Sequence, residues 1–136
     1  MNNQVDIKAI NLLYDQYCLH ANTGDLDLFI SLWTGDATRM EPDFQPINGK
    51  ENIRSHFKNT FDLFNINVNI YGKTEIEVSG NLAFSRGNFT LSLNPKADGP
   101  TASMDGKWLD TLKKQDDGSW KIYIDCINFN EPPKVE

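Results

Sequence analysis

Asn22-Thr23-Gly24-Asp25-Leu26-Asp27-Leu28-Phe29-Ile30-Ser31-Leu32-Trp33-Thr34-Gly35-Asp36-Ala37-Thr38-Arg39-Met40-Glu41-Pro42 is the stretch on which the architecture turns. Gly24 suits the left-handed position just past a helix, where a side chain would be strained. Asp25 then offers a carboxylate to the free amides of a second helix. Leu26, Phe29, Ile30 and Trp33 mark that helix, which is expected to end at Gly35. Ala37 to Glu41 reads as an extended segment stopped by Pro42. Two helices meeting at a sharp corner, then a strand, are expected.

Before this corner, Ile10, Leu13, Tyr14, Tyr17, Cys18 and Ala21 recur at helical spacing and predict one apolar face from about Asp6 to Asn22. After it, Asp43 to Gly49 is a loop, and Asn48 or Gly49 can cap a third helix in which Ile53, Phe57, Phe61 and Phe64 form a stripe. The remainder reads as sheet: Ile66–Tyr71, Thr74–Val78, a long strand Leu82–Leu93 with a bulge at Gly87, then Ala102–Gln115 and Trp120–Asn128 as a hairpin. Helices first and antiparallel strands after them predict an α+β layer structure with a pocket between the layers. Neither repeats nor a linker interrupt residues 1–136, so a single domain is expected.

The length of 136 residues suits one core of ordinary size. A net charge of −6 with no cluster of Lys or Arg argues against nucleic acid or an anionic membrane as partner. No run is apolar enough to span a bilayer, and the first twenty residues lack a signal-peptide core, so a cytoplasmic location is expected. Cys18 and Cys126 lack metal-type spacing and read as reduced, buried thiols. His20 and His56 lie far apart without a ligand partner at helical spacing, so surface or half-buried roles are expected and no metal. With no phosphate loop, nucleophile elbow or thiol–His pair, the chemistry open to the chain is cofactor-free.

The Gly24-Asp25-Leu26-Asp27 corner and the segment after it resemble the cone-shaped α+β (cystatin-like) fold shared by nuclear transport factor 2, SnoaL-type polyketide cyclases and ketosteroid isomerases. That resemblance implies three N-terminal helices packed on a curved, mostly antiparallel sheet. It becomes residue-specific from Tyr17 to Asn128 and is nearest in motif to ketosteroid isomerases. Tyr17 stands seven positions before Gly24, as their helix-borne Tyr does. Leu32-Trp33-Thr34-Gly35-Asp36-Ala37-Thr38 leads to Glu41-Pro42, where they place a carboxylate before a Pro. Asp110, eight residues before Gly118 of the last hairpin, matches their second carboxyl. The resemblance thus implies Glu41 as the base, with Tyr17 and a protonated Asp110 holding the oxyanion.

Such a trio can remove a proton beside a carbonyl, because a carboxylate takes the proton and two donors meet the developing negative charge. By alternation Met104, Gly106, Trp108 and Leu112 share the strand face of Asp110, apolar enough to keep it protonated. An isomerase, cyclase or dehydratase of a small, mainly apolar molecule is the expected activity, with Trp33, Phe57, Trp108 and Tyr123 lining the cavity. A non-catalytic domain that binds a small ligand or a protein through the same fold is the rival. Glu41 is one methylene longer than the Asp usual in steroid isomerases.

Arg86 and Asp125 fall where steroid isomerases are apolar, and either needs a partner once buried. Their pairing resembles limonene-type epoxide hydrolases, whose Arg is flanked by two carboxylates; Asn88 replaces the first of these. On the last strand Trp120, Ile122, Ile124 and Cys126 share one face and Lys121, Tyr123, Asp125 and Ile127 the other. If the first set packs on the helices, Asp125 points away from the pocket. If it packs on a second subunit, Asp125 points in and the protein is a homodimer through the sheet.

Overall fold

A computed structural model of the chain describes residues 3–136. Helix α1 (Gln4–Thr23) buries Ile10, Leu13, Tyr14 and Ala21 along the expected face. It closes on Gly24 at φ 73°, and Asp25 caps α2 (Leu26–Ile30) by accepting from Leu28 N at 3.1 Å. Helix α2 is shorter than its apolar spacing suggests. It stops at Ile30, and Gly35 lies inside β1 (Trp33–Met40) instead of ending a helix. Leu32 O accepts from Ile122 N at 2.8 Å and Trp33 is fully buried, so the sheet captures the chain before another helical turn can form.

A short β2 (Ile47–Asn48) precedes α3 (Lys50–Leu63), which starts after Gly49 and buries Ile53, Phe57 and Phe61. The two strands expected near residue 70 are one, β3 (Phe64–Ser79), whose register shifts between Tyr71 and Glu75 around Gly72 at φ 70°. Then come β4 (Leu82–Pro95), β5 (Ala102–Lys114), β6 (Trp120–Phe129) and β7 (Lys134–Val135). The sheet runs β2-β1-β6-β5-β4-β3, with β7 on β5; β1 and β6 are parallel and the other pairs antiparallel. The sheet is curved and unclosed; α1 packs chiefly on β3 and α3 on β1, leaving a cleft between helices and sheet.

Two details of this sheet shape the cleft. Gly87 makes no bulge, since β4 and β5 pair without a shift. It stands opposite Trp108, and a Cβ there would lie 2.3 Å from Trp108 Cη2, so the glycine makes room for the indole. The bulge is in β6: Leu112 pairs with Ile122 and Thr111 with Ile124, which leaves Tyr123 as the extra residue. Strict alternation along this strand is therefore broken. Trp120 and Ile122 are buried before the bulge and Asp125 after it, so within one chain the strand turns its apolar set inward at one end and Asp125 inward at the other.

Trp108 is fixed by an Nε1–H bond to Ser85 Oγ at 3.0 Å and by stacking on Tyr14 at 5.3 Å. It cannot retreat from an added methyl without losing one or both. Gly87→Ala is expected to cost about 1–3 kcal/mol of stability, the usual range for overpacking, read as a lower urea midpoint at unchanged slope.

Candidate functional site

The cleft is a cavity of about 210 Å³, apolar over most of its wall, with polar groups gathered on one side. That polar side grows from β1. Ala37, Arg39 and Glu41 alternate onto one face, and the parallel register sets Arg39 directly beside Asp125 of β6. Arg39 Nη1 donates to Asp125 Oδ2 at 2.6 Å and to the Tyr17 hydroxyl at 3.2 Å, while Nε donates to Glu41 Oε2 at 2.7 Å. The guanidinium lies 4.8 Å from the centre of the Phe57 ring, and the Arg39 side chain is only 6% exposed. From α3, His56 Nε2 meets Glu41 Oε2 at 3.0 Å.

Burial alone would raise the Glu41 carboxyl. The hydrogen bond from His56, with the charge and hydrogen bond of Arg39, outweighs it and holds the group at about 2. A carboxylate so held only accepts, so His56 Nε2 carries the hydrogen of their bond and Nδ1 keeps the lone pair in the neutral ring. Tyr17 is pushed up by burial, against the pull of Arg39, and stays a phenol. Its oxygen accepts from Arg39, which leaves its own proton free to be donated into the cleft.

Asp110 sits deeper. Burial pushes its carboxyl well up, and the charge of Asp125 and a hydrogen bond to it push the same way, toward the protonated form. Its Oδ2 accepts from Tyr14 Oη at 2.7 Å and its Oδ1 from Cys126 N at 3.1 Å. Tyr14 Oη also bonds Ser85 Oγ, which joins Trp108 to the network. Cys18, on the cleft wall, is pushed up to about 11 by burial and then by Asp15, so its thiol is no nucleophile near neutral pH.

The cleft wall thus includes Tyr17, Glu41, Asp110, Phe57, Trp108 and Asp125 among the residues singled out from the sequence. Three others lie elsewhere. Arg86 is on the outer face of the sheet, 62% exposed and paired with Glu75 at 2.7 Å, because alternation from the buried Ser85 turns it outward. The expected Arg86–Asp125 pair does not form, and Asp125 has Arg39 instead. Tyr123, the extra residue of the bulge, packs its ring under Lys113 Nζ at 3.5 Å. Trp33 lies in the core against Tyr17, Phe29 and Phe57 rather than on the cavity wall. Arg39 was the residue sequence reasoning passed over. Its signal was its place two residues before Glu41, which sends both side chains to one face.

A family profile described as a SnoaL-like domain matches residues 5–123. Several solved structures share the fold. One is a ketosteroid isomerase-like protein from Erwinia carotovora atroseptica SCRI1043, at TM-score 0.81 and 21% identity over 95% of this chain and 99% of that one. Another is a candidate scytalone dehydratase from Novosphingobium aromaticivorans DSM 12444, at 0.87 and 19% over 98% and 89%. A nuclear transport factor 2-like superfamily protein from Salmonella enterica serovar Typhimurium LT2 stands at 0.79 and 18% over 93% and 91%. No curated protein is significantly similar in sequence.

Removing the cation of this network strands buried carboxylates. Arg39→Met is expected to cost about 3–5 kcal/mol, and adding Asp125→Asn to recover part of that loss in denaturant melts. Glu41 gives a pH signature: its folded value of about 2 lies below the ordinary 4.5, so its stabilisation is full above 4.5 and fades as pH falls toward 2. Thermal melts across that window are expected to fall more steeply in the wild type than in Glu41→Gln.

Proposed function

The chain belongs to the SnoaL-like domain family of the nuclear transport factor 2-like superfamily, and from that premise we propose that it is a cofactor-independent acid–base enzyme. It would move a proton at a carbon beside a carbonyl or a leaving group of a small, mainly apolar molecule, as an isomerase, cyclase or dehydratase does. The observation that carries the reading is the Glu41–His56 contact on the wall of an apolar cleft that also holds the Tyr17 hydroxyl.

The roles follow from proton affinity. A carboxylate held at about 2 is a poor proton acceptor near neutral pH, whereas an imidazole is well matched to it. His56 therefore takes the proton at Nδ1, and Glu41 orients the ring through Nε2 and meets the charge that His56 gains. Tyr17 donates its O–H to the oxygen on which negative charge develops, with Arg39 Nη1 holding the phenol oxygen from behind. Asp110 acts through Asp125: its proton is spent on that hydrogen bond, which fixes Asp125 against Arg39.

The test needs no knowledge of the natural substrate. Uncharged ring ketones are incubated in D2O, and deuterium uptake beside the carbonyl is followed by NMR. Enzyme-dependent exchange is expected, reduced by about 100-fold or more in His56→Gln, with a smaller loss in Glu41→Gln and Tyr17→Phe. Exchange that is absent throughout, or unchanged in His56→Gln, would leave a cleft that binds without turnover.

A further inference from the structure

The polar side of the cleft has an uneven charge count. Arg39 is the only Lys or Arg among the described residues lining the cleft, and it faces two carboxylates, Glu41 at 2.7 Å and Asp125 at 2.6 Å. Asp110 behind them is pushed toward its neutral form by burial and by Asp125, Tyr14 and Tyr17 are phenols, and Cys18 is a thiol. Leaving His56 aside, the wall therefore sets two carboxylates against one guanidinium. A guanidinium already engaged by two carboxylates has no spare charge for a third anion, and around it the wall is built from side chains such as Phe61, Ile66, Leu91, Met104 and Phe129, which cannot screen one.

We infer that the cleft selects uncharged, ring-sized molecules bearing a hydrogen-bond-accepting oxygen, and that the Glu41–Arg39–Asp125 cluster is the device that rejects carboxylates. The oxygen of such a ligand takes the Tyr17 O–H. The same count suits the proposed proton transfer. When His56 gains a proton, the excess negative charge on the wall is cancelled as the substrate oxygen becomes negative. The wall thus repels an arriving anion and tolerates one formed in place.

This inference rests on the cleft being the ligand site, and it is tested by binding alone, so that loss of turnover and loss of selectivity can be told apart. Acetophenone and benzoate are close in shape and differ in charge. Titrated at neutral pH against the full chain, with Trp108 fluorescence and ligand-observed NMR as readouts, acetophenone is expected to bind at least about tenfold more tightly than benzoate. Asp125→Asn is expected to narrow that ratio, and Asp125→Asn with Glu41→Gln to invert it, with benzoate gaining at least about tenfold and raising the Tm of the variant. Equal or tighter binding of benzoate by the wild type, or failure of acetophenone to bind, overturns the inference. So does a folded double variant that gains no affinity for benzoate. The wild-type ratio decides even if a variant does not fold. A selective cleft without deuterium exchange would retain this inference and remove the catalytic reading.

Discussion

The contact between Arg39 and Asp125 is the constraint around which the rest is arranged. Taking a guanidinium and a carboxylate out of water costs several kcal/mol per ion, and only close geometry with further hydrogen bonds offsets it. Both are supplied here: the parallel register of β1 and β6 sets the two residues side by side, and Glu41 and Tyr17 take further donors of the same guanidinium. The register in turn depends on the bulge at Tyr123, which turns Asp125 inward after Trp120 and Ile122 have already been buried. One extra residue thus lets a single strand serve the apolar core at one end and the charged wall at the other.

A second buried network backs the first. Asp110, its carboxyl pushed well up by burial, is held by Tyr14 and the Cys126 amide, while Tyr14 reaches Ser85 and Ser85 receives the Trp108 indole N–H. Nearly every polar atom behind the cleft is thereby engaged with protein. Networks satisfied in this way favour one arrangement of side chains, because any shift leaves a donor or acceptor unpaired in a low dielectric. The cleft presents a small number of functions against this fixed background, chiefly the Tyr17 hydroxyl and the His56 ring.

Much of the architecture was legible because it is written in local rules. Gly24 and Asp25 fix the corner, the helical spacing of Ile10 to Ala21 fixes the buried face of α1, and the Gly118 turn fixes the last hairpin. The family resemblance brought Tyr17, Glu41 and Asp110 to attention, and all three line the cleft. What escaped depends on pairing between distant strands. Alternation cannot reveal a bulge, so it places Tyr123 in the cavity and leaves the facing of Asp125 open. Motif alone pairs Arg86 with Asp125. Its neighbour Ser85 is the residue that turns inward, and the guanidinium that meets Asp125 comes from a strand paired across the sheet. His56 has neither metal-ligand spacing nor a local motif that ties it to a pocket, because its partner is a carboxylate from another element.

The parallel pairing of the first long strand with the last has a further meaning for how the molecule assembles. Arg39 and Asp125 are 86 residues apart in the chain, and between them run α3 and three long strands. As the chain leaves the ribosome, α1, α2 and β1 emerge well before the strand that completes their sheet. Through that interval Arg39 and Glu41 stay hydrated, since no dry partner surface yet exists to draw them inside. Closing so long a loop is entropically slow, and topologies dominated by such contacts fold slowly. The charged wall is therefore among the last parts to form, and its completion coincides with the arrival of the carboxyl-terminal hairpin.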